Sequence, residues 1–345
     1  MTDDEHPDIA AMDRTEEPEL DRGAVEAWAA RMISNPDRAY RAAFYTATVV
    51  FLVTTLFPFY WLFVLAVTPR AQLGDTGAFT PGGTPRADVE LPLIDATIGI
   101  PVGLPTDLNV LAFVEIFQTI PFHRYVFNSF LIATMATVIV LFVGSLAGYV
   151  FGRLRFRGKN PLLLLVLVTS FFPPAAFFVP LNRLFNRNVD VLRPIMADGS
   201  LYNTPYAIFV PLSAIFLPLS IFILMTFYSQ IPDGLEDAAR IEGTTRLGAL
   251  FRVIVPLSAP GVATAGVLTF IAVYNEYFFS SLMTDGRHQN WAPMLEGILR
   301  FQGEFEVLFN LMAAASIVAV LPVAILVIVA QEKIVSGLTA GAVKE

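Results

Sequence analysis

Six blocks of mostly apolar residues, each near the ~20 that a helix needs to cross the hydrocarbon core of a bilayer, limit this chain to one broad architecture. They run near Ala42 to Thr68, Tyr125 to Phe151, Pro161 to Leu184, Tyr206 to Tyr228, Pro260 to Met283 and Leu311 to Gln331. In lipid every backbone N–H and C=O must be satisfied within the protein, and blocks of this length do so as helices. Hydrophobic residues make up 55% of the chain and charged ones 15%, with the apolar residues gathered into blocks instead of spread over amphipathic stretches. The expected fold is an all-α membrane protein with six transmembrane helices. Pro173, Pro174 and Pro180 in the third block, and Pro211 and Pro218 in the fourth, are tolerated where neighbouring helices satisfy the freed carbonyls. Those two spans are expected to be kinked and packed inside.

The organisation follows from the blocks. Residues 1–41 form an acidic, partly disordered leader, 42–68 the first span, and 69–124 a long loop rich in Gly and Pro. Residues 125–331 form a five-span core that includes a polar loop at 229–259, and 332–345 form a tail. The formal charge of -8 is a property of the leader, where Asp3, Asp4, Glu5, Asp8 and Asp13 begin a run of acids. Orientation is read from Lys and Arg beside the spans, which favour the cytoplasm. The short loop "RLRFRGK", Arg153 to Lys159, is basic and without an acid, so both termini and the 229–259 loop are expected on the cytoplasmic side and loop 69–124 outside. There is no cysteine, hence no disulfide framework or thiolate metal site, and the three histidines stand far apart. No metal site is expected.

Within the polar loop, the stretch "LEDAARIEGTTRLGALFRVIVPLSAP", Leu235 to Pro260, reads as two short helices. Asp233, Glu236 and Asp237 suit a helix N-terminus, Arg240 the other end, and Gly243 the left-handed residue that terminates it. Leu235, Ala238 and Ala239 give the first helix a narrow apolar face with two small side chains, open to close approach, while Glu236, Asp237, Arg240 and Glu242 leave the rest polar. Leu247, Leu250, Phe251 and Ile254 recur at i, i+3, i+4 and i+7, an apolar stripe able to lie on the spans. Pro256 and Pro260 then turn the chain into the fifth block. From periodicity alone, a docking helix and an amphipathic linker at the headgroup surface are equally good readings.

The same string resembles the cytoplasmic EAA loop of the permeases of binding-protein-dependent ABC importers. It departs mildly from that pattern: Asp237 stands for the motif Glu, Glu242 for an Asp, Thr244 for an Ala, and Val255 for the Leu before Pro256. The resemblance extends from about Leu108 onward. "FHRYVFNSF", "SLYNTPYAIFVPL" and "FIAVYNEYFFSSL" are similar to segments of the carbohydrate branch, and the ending "GLTAGAVKE" is similar to the tail of the second permease of maltose-type importers. The resemblance implies a subunit forming half of a translocation pathway, with a second permease subunit, an ABC ATPase dimer, an extracytoplasmic sugar-binding protein and membrane lipid as partners, and no nucleic acid. It implies ATPase coupling through Leu235, Glu236, Asp237, Ala238, Ala239, Arg240, Glu242, Gly243, Phe251 and Pro256. It also implies a tail contact with the ATPase through Gly337, Leu338, Thr339 and Gly341.

No G-x-x-x-x-G-K-[ST] phosphate loop occurs, the nearest Gly158-Lys159 pair being followed by Asn160. No catalytic residues are expected and no cofactor on this chain, with ATP and Mg left to the partner ATPase. Asn128, Tyr274, Asn275 and Glu276 are candidates for the substrate pathway, because polar groups inside a span face the bundle interior or a water-filled cavity. Glu276 is expected roughly 24 Å along the fifth span from Pro260. Maltose, trehalose, other oligosaccharides and glycerol-phosphate-like solutes all remain open. The alternatives are an importer permease for a non-sugar solute or, further off, an ion-coupled secondary transporter, whose inverted halves the sequence does not show.

Overall fold

A computed structural model describes residues 36–73, 86–91, 96–101, 103–105, 107–186, 200–303 and 307–342. Most of the acidic leader, residues 187–199 and the last three residues are among those outside the described residues. By its contacts the chain divides into residues 1–60 and 61–345. Helix α1 (Pro36–Val67) begins before its apolar block, and Tyr40, Phe44, Tyr45 and Phe51, all in the first unit, are exposed.

Loop 69–124, for which the sequence suggested no elements, contains an antiparallel hairpin of β1 (Arg86–Leu91) and β2 (Ala96–Pro101), with Arg86 opposite Pro101 and Leu91 opposite Ala96. All-α therefore describes the spans and not the whole chain. The hairpin was hidden because strands of six residues among Gly and Pro lack a strong period-2 signal. Helix α2 (Ala112–Thr119) follows, burying Ala112 and Ile116.

The second unit is organised by the pairing of α3 (Phe122–Arg153) with α6 (Tyr206–Ser229). Gly144, Gly148 and Gly152 recur every four residues on one face of α3. A Cβ on Gly148 would lie 3.0 Å from the Leu224 Cβ and 3.1 Å from the Met225 nitrogen, so only glycine lets the backbones come this close. Small residues at such spacing let helices pack by van der Waals contact where lipid supplies no hydrophobic drive. Helix α8 (Ala259–Tyr274) and helix α11 (Phe309–Ala342) complete the packed core, together with Phe122, Ile132, Ile208, Leu212 and Met283. A smaller cluster, Tyr149, Leu224, Tyr228, Leu250, Ile254 and Ala265, lies at the Arg153 end of α3.

Among the described residues, four helices are long and apolar enough to cross a membrane, or up to six if two bent pairs each count as one. The third block is the first such pair: α4 (Lys159–Thr169) and α5 (Pro174–Phe185) meet at 82°. The expected kink is therefore a full break, placed where Pro173 and Pro174 deny the chain backbone donors. The expectation that this block packs inside does not hold within this chain. Neither helix has a buried residue among those described, and Phe171 is 86% exposed, whereas α6 is buried over half its apolar window. The second pair joins the Arg246–Leu257 segment to α8 at 84°, about Pro256 and Pro260. The fifth block is thus not one helix from Pro260 to Met283: α8 ends at Tyr274, and a short helix α9 (Phe278–Leu282) follows a break.

Candidate functional site

The loop between α6 and α8 is built around helix α7 (Asp233–Ile241). Its first turn carries Asp233 and Glu236, which complement the partial positive charge of a helix N-terminus, and Arg240 lies in its last turn. Gly243 follows with φ +91°. The Gly243 N–H donates to the Arg240 carbonyl at 3.1 Å and the Thr244 N–H to the Ala239 carbonyl at 3.1 Å, the paired bonds of a Schellman ending. The terminator read from the sequence at Gly243 is in place.

One residue of the expected polar face is not on it. Glu236 is buried, and its carboxylate accepts from the Tyr149 hydroxyl at 2.6 Å and from Arg153 Nε at 3.1 Å. Arg153 Nη1 also donates to the Ile231 carbonyl at 2.5 Å and pairs with Asp233 at 3.0 Å. Tyr149 and Arg153 stand four apart on the last turns of α3, one face of a helix, so both reach the same carboxylate. At 100° per residue, Gly234, Ala238 and Ile241 point away from Glu236. All three are exposed, Ile241 at 87%, and this outward surface of small and apolar groups differs from the narrower Leu235, Ala238 and Ala239 face expected. Leu235, Asp237, Arg240, Glu242 and Gly243 are exposed around it. A cleft of about 730 Å³ lined by Val150, Arg153, Arg155, Asp237 and Arg246 adjoins α7.

The second half of the loop departs from the simple stripe. Residues Leu250–Ile254 form a π-helical turn, which rotates the register so that Leu250 and Ile254 are buried while Leu247 and Phe251 are exposed. Phe251 stacks on Phe142 of α3 with ring centroids 6.1 Å apart, and Pro256 is exposed at the bend. The Thr245 side chain caps the short helix Arg246–Ala249 by accepting from the Gly248 N–H at 3.1 Å.

At the opposite end of α3 a second polar assembly joins three segments. Asn128 Nδ2 donates to the carbonyls of His288 at 2.7 Å and Ala292 at 3.1 Å, the Tyr125 hydroxyl donates to Gly286, and Ser129 accepts from the Met294 N–H at the start of helix α10 (Met294–Leu299). Burial, with the charges of Arg124, His123 and Arg300, pushes the His288 imidazole below its ordinary range and favours the neutral ring, which meets Tyr125 edge-on at 5.7 Å. Of the other pathway candidates, Tyr274 is buried and its hydroxyl donates to the Ala319 carbonyl of α11 at 2.8 Å. Asn275 is exposed at the end of α8. Glu276 sits in the break and caps α9: its carboxylate accepts from the Phe279 N–H at 2.5 Å, the Ser280 N–H at 3.0 Å and the Ser280 hydroxyl at 2.7 Å. It also borders a cleft of about 280 Å³ with Pro174, Phe216 and Phe278. The structure therefore leaves Asn275 exposed and Glu276 capping α9, while Asn128 ties α3 to the His288 and Ala292 backbone and Tyr274 ties α8 to α11. Residues 337, 338, 339 and 341 are a continuation of helix α11, which runs through Ala342.

Tyr149 and Arg153 went unrecognised at the sequence level, where Arg153 counted only as a topological charge. The i, i+4 pair facing a short acidic helix was the available signal, but nothing in one dimension joins positions 153 and 236.

Apolar helices broken by proline, a packed pair with a glycine seam, and a polar loop presenting a short anchored helix are the features of a multi-pass membrane protein. Comparison with known proteins makes this specific. The family described as the binding-protein-dependent transport system inner membrane component matches residues 141–338, and the chain belongs to it. It is 32% identical over 87% of its length, and 93% of the other chain, to the sulfoquinovosyl glycerol transport system permease protein SmoH of Agrobacterium fabrum. It is 36% identical to the trehalose/maltose permease MalG of Thermococcus litoralis, over 66% of this chain and 77% of that one. Against the trehalose permease SugB of Mycobacterium tuberculosis the identity is 31%, covering 88% and 98%. A solved bacterial ABC transporter for the import of alginate shares the fold, with a TM-score of 0.64, 18% identity, and 86% and 97% of the two chains covered. The chain is thus a non-catalytic permease subunit of an ABC importer in a cell membrane, and ATP hydrolysis belongs to a separate subunit.

Proposed function

We propose that the chain is one of two permease subunits of an ATP-driven sugar importer, crossing the inner membrane six times with both termini in the cytoplasm. Helix α7 is its docking helix for the ATPase dimer, and an extracytoplasmic sugar-binding protein delivers the solute. The observation that carries this reading is α7 itself: a helix outside the spans, held to α3 by a buried ion pair, with Gly234, Ala238 and Ile241 turned outward. Small side chains on an outward helix face let a partner's backbone approach closely, and the exposed Ile241 adds an apolar contact at its end. Six spans result when each bent pair crosses once, and the basic loop at Arg155 to Lys159 then lies on the same side as α7. ATP-driven closure of the ATPases brings two such helices together and rocks the spans between two packed states. The tail at Gly337, Leu338, Thr339 and Gly341 adds a second contact with the ATPases.

A sugar substrate is supported by relatives named for trehalose, maltose and sulfoquinovosyl glycerol. On this chain Glu276 lines a cleft with Phe216, Phe278 and Pro174 of the broken third span, so a carboxylate and flat aromatic faces meet there, and the exposed Asn275 precedes it in the chain. Asn128 and Tyr274 serve the path by holding its walls. The test is purification of the complex from its native membrane followed by reconstitution in vesicles with the binding protein. The expected result is copurification of an ATPase and a second permease, with ATP-dependent uptake of maltose or trehalose. Uptake of neither sugar alongside uptake of a non-sugar solute would replace the substrate class, and a chain purified without an ATPase would remove the reading.

A further inference from the structure

The end of α3 meets the start of α7 at a polar junction. Four polar groups converge there from two elements far apart in sequence: Tyr149 and Arg153 on α3, Asp233 and Glu236 on α7. The Arg153 side chain is 4% exposed and that of Glu236 11%, so the pair is shielded from water and poorly screened, unlike the exposed Asp237–Arg240 pair at 3.8 Å on the same helix. The guanidinium engages through two nitrogens, Nε on the Glu236 carboxylate and Nη1 shared by the Asp233 carboxylate and the Ile231 carbonyl. An ammonium has no comparable planar fork. Since Ile231 ends the turn that leads into α7, Arg153 grips the helix at its first turn and immediately before it.

We infer that Tyr149 and Arg153 are positioning residues that clamp α7 to the end of α3 through Glu236, so that motion imposed on α7 is carried into α3 and its glycine-seamed partner α6 as one rigid body. Glu236 accordingly acts toward the interior of this subunit and does not touch the ATPase. The contrast with a hinge is physical: a loop joined to the spans only through flexible peptide would absorb a push on α7, whereas a buried, multiply bonded ion pair passes it on. This inference rests on the proposal that α7 contacts the ATPase.

The thiol-free chain allows a direct test in the assembled, reconstituted complex. Spin labels on Val150→Cys, which is 37% exposed on α3, and Ile241→Cys, which is 87% exposed on α7, report the separation of the two helices. The expected result is one narrow distance distribution, unchanged between nucleotide-free and ATP-bound states, and a broadened one after Arg153→Ala. A distance that changes with ATP in the otherwise native chain overturns the clamp. The second measurement is the ratio of substrate-stimulated to basal ATP hydrolysis. Arg153→Ala and Glu236→Ala are each expected to lower it at least fivefold, with the double variant no worse than either single one, because both remove one interaction. The exchange Arg153→Glu with Glu236→Arg is expected to recover part of the loss. Multiplying losses overturn the clamp, as does loss of ATPase binding in Glu236→Ala alone. Failure of the native chain to bind an ATPase at all refutes the function and not the clamp, which is then read from the narrow distance distribution of the chain alone and its broadening in Arg153→Ala; a broad distribution in the native chain alone overturns the clamp.

Discussion

Replacing Gly243 by alanine isolates the ending of α7 from every other effect. At φ +91° an L-residue brings its Cβ toward its own backbone, a penalty of about 1–2 kcal/mol. An added Cβ would meet no heavy atom within 4 Å, so no steric clash contributes and the cost is conformational alone. The backbone escapes it by leaving the left-handed region, which gives up the bonds from the Gly243 and Thr244 amides to the Arg240 and Ala239 carbonyls. A penalty of about 1–2 kcal/mol lowers the ratio of capped to frayed ends roughly 5–30-fold. Asparagine, which tolerates this region, should lose less than alanine, and β-branched valine should lose more. Hydrogen exchange over residues 238–246 reads the fraying, and substrate-stimulated ATP hydrolysis by the reconstituted complex reads its consequence. The expected order in both is Gly, Asn, Ala, Val. Unchanged exchange in the alanine and valine variants would show that the left-handed residue does not hold the helix end. Faster exchange with unchanged hydrolysis would show that α7 does not couple to the ATPase.

Gly148→Val should lower the Tm of the detergent-solubilised chain through overpacking worth about 1–3 kcal/mol, since its Cβ would stand 3.0 Å from the Leu224 Cβ; an unaltered Tm would mean that α3 and α6 are not in close contact. Glu276→Ala removes three acceptor contacts at the start of α9, a cap worth about 0.5–2 kcal/mol, and should reduce transport. Equal loss for maltose and trehalose assigns the carboxylate to the cap alone, unequal loss adds contact with the sugar, and unimpaired transport refutes both. For orientation, cysteine at exposed Asn160 should react with an impermeant thiol reagent only after the membrane is opened, and cysteine at exposed Leu111 should react from outside; reversed labelling would invert the topology.

Much of the architecture was present in composition and spacing. Apolar blocks of bilayer length leave helices as the economical solution, and the blocks near Tyr125, Tyr206 and Leu311 lie within helices that begin at Phe122, Tyr206 and Phe309. Gly243 was legible because a single residue, with no Cβ, satisfies a local backbone demand. The bends at Pro173 and Pro256 were legible as locations, since proline removes a donor wherever it stands. Their angles of 82° and 84° were not, because the angle depends on what the freed segment packs against.

The sequence by itself determined the membrane class, the approximate spans and the polar loop with its glycine terminator, all of which rest on interactions within a few residues or with a featureless solvent. Tertiary structure alone decided which way the loop faces. Glu236 reads as one more exposed acid beside Asp237 and becomes the buried partner of Arg153; Glu276 reads as a polar group within a span and becomes the cap of a new helix. Both reversals have the same cause. A carboxylate goes where donors can replace its water, and those donors, an arginine 83 positions away or the amides of a helix that begins only after a break, exist as a set only once the chain has folded.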